Sequence, residues 1–107
     1  MESVDNSVKA QCAELDASVR RAIKAHWGRD ADARDLKHGR NEFAFYDDEA
    51  GKMRVYDNAM VDYVFSVSER AGEKAQNWRF VLGVLRKLRE RGITDVMDAI
   101  DYNDKWV

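Results

Sequence analysis

Between Trp78 and Leu88, the residues Phe80, Val84, Leu88, Val81, Leu85, Trp78 and Leu82 fill an arc of roughly 200° when set at about 100° per residue. Arg79, Gly83, Arg86, Lys87 and Glu90 take what remains. One neighbour cannot cover so wide an apolar arc. A helix over 73–91 must therefore pack on several elements, and it is expected to be the core helix.

The rest of the chain has to supply those neighbours. It has 107 residues, 45% of them hydrophobic, with three Trp, four Tyr and four Phe. That is enough for one modest core and too little for two, despite 36% charged residues. The expectation is a single domain over 1–107, mostly α with some β (α+β). It comprises an N-terminal helix within 1–29, a hairpin at 42–56 and a compact three-helix unit at 57–102.

Each part has its own pattern. Over 4–27, Val8, Cys12, Leu15, Val19, Ala22 and His26 alternate steps of four and three. This narrow stripe of small residues suits one close partner helix, either within the chain or across a homodimer. Residues 29–41 carry one large aliphatic and balanced charge, so they read as a solvated connection holding at most a helical turn. Phe43 and Phe45, then Met53 and Val55, alternate around Asp47-Asp48-Glu49-Ala50-Gly51, the signature of a β-hairpin. From Asp57 the helical period returns, with Met60, Val61, Val64, Phe65 and Ser68 on one side. The β-branched content of 61–67 keeps a strand as the alternative there. A last helix starts near Asp95, with Val96, Met97, Ile100 and Tyr102 facing inward.

Several function classes find no support. The single cysteine, Cys12, excludes an internal disulfide framework and a thiolate zinc cage, and it suits a reducing compartment. The polar, acidic start does not read as a secretory leader. The longest apolar run, 80–85, is far too short to cross a bilayer. A cytoplasmic protein without membrane contact is expected. His26 and His38 lie twelve positions apart with no ligand pair beside them, so no metal is expected, and His26 reads as a helix-terminal cation or a packed ring. Asp30, Asp32 and Arg34 begin like a calcium loop but place an arginine where an oxygen ligand belongs. The glycines are scattered, with no phosphate loop, and no nucleophile has a base nearby in sequence. The chain reads as a non-enzyme without cofactors.

Charge is the remaining asymmetry. The net −2 resolves into +1 over 1–29, 0 over 30–41, −5 over 42–69, +5 over 70–92 and −3 over 93–107. Lys74, Arg79, Arg86, Lys87, Arg89 and Arg91 are candidate phosphate contacts, or else ordinary cations complementing a helix C-terminus. Asp47, Asp48, Glu49, Asp57 and Asp62 form a candidate acidic face for a basic protein partner. Asp95, Asp98, Asp101 and Asp104 recur every third residue, as a solvated helix face or an acidic stripe for a basic partner.

The segment from Asn77 to Thr94 has Trp78 near its start, Phe80, Val84 and Leu88 at four-residue steps, and Gly92-Ile93-Thr94 at its end. It resembles the closing helix of DnaD-like domains, the helical modules of bacterial and phage replication-initiation and primosome proteins. The resemblance covers about 58–101. Phe80 stands where that family usually has Tyr, and Leu88 where it usually has Trp. It implies a DNA-replication accessory module that binds DNA, replication proteins or both, and that self-associates. The acidic face supports an alternative: a small protein-binding inhibitor of the phage accessory type, in the style of anti-CRISPR or host-takeover proteins.

Overall fold

The structure is a computed structural model that describes residues 2–70, 72 and 76–106, with side chains described for 11–70, 72 and 76–102. Five helices and one hairpin follow in the order α1 (Glu2–Trp27), α2 (Ala33–Glu42), β1 (Ala44–Asp47), β2 (Lys52–Val55), α3 (Asn58–Glu69), α4 (Trp78–Glu90) and α5 (Val96–Trp106). The expected class, mostly helical with a small hairpin, is what the chain adopts.

In α1 the stripe finds its partners inside the chain. Leu15, Val19, Ala22 and Ile23 are buried, and the helix packs on α3 and α2. The stretch of the stripe from Leu15 to Ile23 is thus covered within the chain, while Cys12 stays half-buried. Val8 lies outside the described side chains. Gly28 ends α1 at φ +70°, a left-handed position that a β-carbon would strain, and its N–H closes on the Lys24 carbonyl.

The solvated connection expected at 29–41 is largely a helix. Asp32 caps α2 by accepting from the Asp35 N–H, and the Asp35 carboxylate accepts from the Asp32 N–H, closing a capping box. Hydrophobic periodicity missed this helix because tertiary contacts hold it. Gly39 lies so close to α1 that a β-carbon there would sit 2.8 Å from Val19 Cγ2.

The hairpin is antiparallel, pairing Ala44 with Val55 and Tyr46 with Met53. The chain continues the pairing as the Tyr56 N–H donates to the Phe43 carbonyl. Phe43 and Tyr56 are buried, so the hairpin's base enters the core while its tip stands out.

The core centres on Phe65 of α3. Its ring lies 5.1 Å from Trp27, 5.6 Å from Trp78 and 6.1 Å from Phe43, between centroids. These rings come from α1, α3, α4 and the junction between α2 and β1, and each is a large apolar side chain. Trp27 Nε1 is buried with no partner among the described residues.

Two expectations about the C-terminal unit need correction. Helix α4 starts at Trp78, where Asn77 caps it, rather than at 73. Its buried line is Val81, Leu85 and Leu88, while Phe80 is 38% exposed. The centre of the core is therefore the α1–α3 packing, with α4 laid against it. In α5 the inward residue is Ala99, and Met97 and Ile100 point outward at 68% and 38% exposure. Val96 and Tyr102, three residues to either side of Ala99, are half-buried beside it.

Candidate functional site

The basic candidates divide when their partners are traced. Arg89 donates to the Glu42 carboxylate at 3.3 Å and to the Glu42 carbonyl, tying α4 to the end of α2. Arg91 sits over the Tyr102 ring, 5.5 Å from its centroid. Lys74 lies outside the described residues. Arg79 and Arg86 are exposed and enter no ion pair among the described residues. Seven residues apart, they share the outward side of α4 with Gly83, and Lys87 is on the adjoining flank.

Beside these cations runs an apolar groove of about 310 Å³. Phe80, Val84 and Leu88 of α4 line it with Val67 of α3 and Tyr102 of α5, and Arg79 and Lys87 stand at its rim. Of the motif residues, Phe80 and Val84 therefore face the groove, whereas Leu88 reaches both groove and core and Trp78 reaches inward.

Most of the acidic candidates are consumed within the fold. Asp47 accepts from the Glu49 and Ala50 N–H groups across the hairpin turn and pairs with Arg54 at 3.0 Å. The Ala50 N–H, then the Arg54 guanidinium, hold its carboxyl below the ordinary range. Asp57 caps α3 by accepting from the Met60 N–H at 2.8 Å. Asp62 lies 2.9 Å from His26 Nε2. Only Asp48 and Glu49 stay exposed at the tip without an ion pair among the described residues.

Two internal charge clusters escaped sequence reading. In the first, His26 bridges α1 to α3, with Nδ1 at 2.6 Å from Glu69 and Nε2 at 2.9 Å from Asp62. Burial of the ring opposes its charge, but the two carboxylates outweigh burial and raise its pKa above the ordinary value. With a carboxylate on each nitrogen, the ring serves as a clamp and offers no lone pair to a substrate or metal. Among the described residues no three His, Cys, Asp or Glu side chains are arranged to hold a metal ion.

In the second cluster, the buried Asp35 carboxylate accepts two bonds from Arg29, at 2.7 and 3.0 Å, and one from Trp78 Nε1 at 2.9 Å. The Arg29 guanidinium overcomes burial and holds this carboxyl far below the ordinary range. The one signal available in sequence was the Asp32-x-x-Asp35 spacing of a capping box.

Among the described residues no helix is long and apolar enough to cross a membrane. No family model, curated protein or solved structure matches the chain.

Proposed function

We propose that this chain is a non-enzymatic accessory module of the DNA-replication type, and that it contacts nucleic acid through the outward side of α4. One observation carries the reading: Arg79 and Arg86 stand exposed on one face beside Lys87, whereas three of the five acidic candidates are spent inside the fold. Arg89 and Arg91 act structurally, which narrows the interface to Arg79, Arg86 and Lys87. The mechanism is charge neutralisation of a few phosphates, with counterion release as its driving force. Three such contacts give a plot of log affinity against log salt with a slope of about −2 to −3. Salt-titrated binding to single- and double-stranded DNA tests this. Arg79→Glu with Arg86→Glu should weaken binding and flatten the slope, and absence of binding at low salt overturns the reading.

The protein-binding inhibitor is the second reading. It is favoured by the hairpin tip, where Asp48 and Glu49 lie near Tyr46 and Met53, exposed by 58% and 55%. A basic site on a nucleic-acid-handling protein would be its target. Asp48→Lys with Glu49→Lys should then abolish partner capture, and unchanged capture rejects it.

A further inference from the structure

We propose that the cleft between α1 and the hairpin binds a small hydroxylated phosphate monoester, a molecule of the sugar-phosphate class. The cleft holds about 680 Å³ and shares no residue with the α4 groove. Glu14 and Arg21 of α1 line one side, Lys52 and Arg54 of β2 line the other, and Tyr56 and Asn58 border it where the chain enters α3.

Its charges favour an anion with hydroxyl groups attached. Lys52 enters no ion pair among the described residues, and Arg21 donates to the neutral Asn58 Oδ1 at 2.9 Å. Alternation along β2 puts Arg54 on the same side as Lys52, and Arg54 gives one arm to Asp47 at 3.0 Å. Against these three cations the cleft sets two carboxylates, Glu14 and Asp57, the second already accepting from the Met60 N–H as the cap of α3. Arginine forks and a lysine charge suit the oxygens of a phosphate. The carboxylate of Glu14 and the free amide hydrogens of Asn58 suit hydroxyl groups.

Tyr56 supplies an independent observation. It is 3% exposed, yet its hydroxyl has no hydrogen-bond partner among the described residues. A buried tyrosine usually finds one. The sealed and unsatisfied side-chain atom among those residues is Trp27 Nε1, so the Tyr56 hydroxyl keeps its opening to the cleft that Tyr56 lines. That leaves a buried donor and acceptor waiting for a polar ligand.

The same residue argues against a nucleotide. Its ring is stacked on Phe45 at 5.0 Å and set edge-on to Phe43 at 6.2 Å, and no other aromatic residue lines the cleft. A base would find no free ring face to stack on, whereas a sugar needs none.

Isothermal titration calorimetry of the full chain tests this with four probes: ribose phosphorylated at its terminal carbon, ribose, inorganic phosphate and adenosine monophosphate. The ribose phosphate should bind saturably and at least tenfold more tightly than each of the other three. Arg21→Glu and Lys52→Glu, both on exposed side chains, should each weaken it at least tenfold. Tyr56→Phe keeps the ring packing and should weaken it several-fold with an unchanged circular dichroism spectrum. Absence of saturable binding overturns the proposal, as does inorganic phosphate or adenosine monophosphate binding equally well, or affinity that survives both charge reversals. None of these variants touches α4, so DNA binding stands or falls separately.

Discussion

The indole Nε1 of Trp78 donates to the Asp35 carboxylate at 2.9 Å, joining the first residue of α4 to the first turn of α2 across 43 positions of sequence. The same carboxylate takes both arms of Arg29 and the Asp32 N–H. Asp35→Ala leaves the Trp78 N–H and the Asp32 N–H without their acceptor in a buried place. Urea denaturation should show a loss of about 2–4 kcal/mol. The carboxyl's depressed pKa sets the sign of its pH dependence: its contribution is present above about pH 4, the unfolded value, and disappears as pH falls further. Wild type should therefore lose more stability than Asp35→Asn between neutral and strongly acid pH.

The two helical glycines are expected to respond to alanine in opposite directions. At Gly39 the new β-carbon meets Val19 Cγ2 at 2.8 Å, and Val19 is fully buried and stiff about χ1. Strain of about 1–3 kcal/mol should exceed the helix-propensity gain of about 1 kcal/mol. At Gly83 the space is open, so Gly83→Ala should stabilise the chain by about 0.5–1 kcal/mol. Thermal denaturation of the two variants compares them directly.

His26 makes stability depend on pH near neutrality. Its folded pKa lies above the unfolded value, so the clamp to Asp62 and Glu69 contributes fully below about pH 6.5 and fades as pH rises through the folded pKa. The gap in melting temperature between wild type and His26→Gln should be wide at pH 5.5 and narrow at pH 8.5. An equal gap at both values would mean that the ring acts only through its stacking on Phe65, 6.4 Å away between centroids.

Exposure along α4 separates surface from core. Leu85→Ala removes a fully buried side chain and should cost about 2–5 kcal/mol. Phe80→Asp alters a groove residue that is 38% exposed and should cost far less. Chemical denaturation of the two variants makes the comparison.

The sequence by itself determined the local elements whose apolar period is long or whose ends are marked. These include α1, the hairpin around its acidic turn, the helix that begins near Asp57, and the helical character of α4. Each depends on contacts a few residues apart, which spacing alone reveals. Tertiary structure decided what no period encodes. Helix α2 carries a single large aliphatic, and it is held by one carboxylate and one glycine whose partners are distant in sequence or on another helix. Which charges remain available was settled in the same way. Asp62 and Arg89 look like surface residues in the chain, but folding brings His26 and Glu42 to within hydrogen-bonding distance of them. A charge pattern fixes how many ions a segment carries; only the packing of helices decides which of them are already paired.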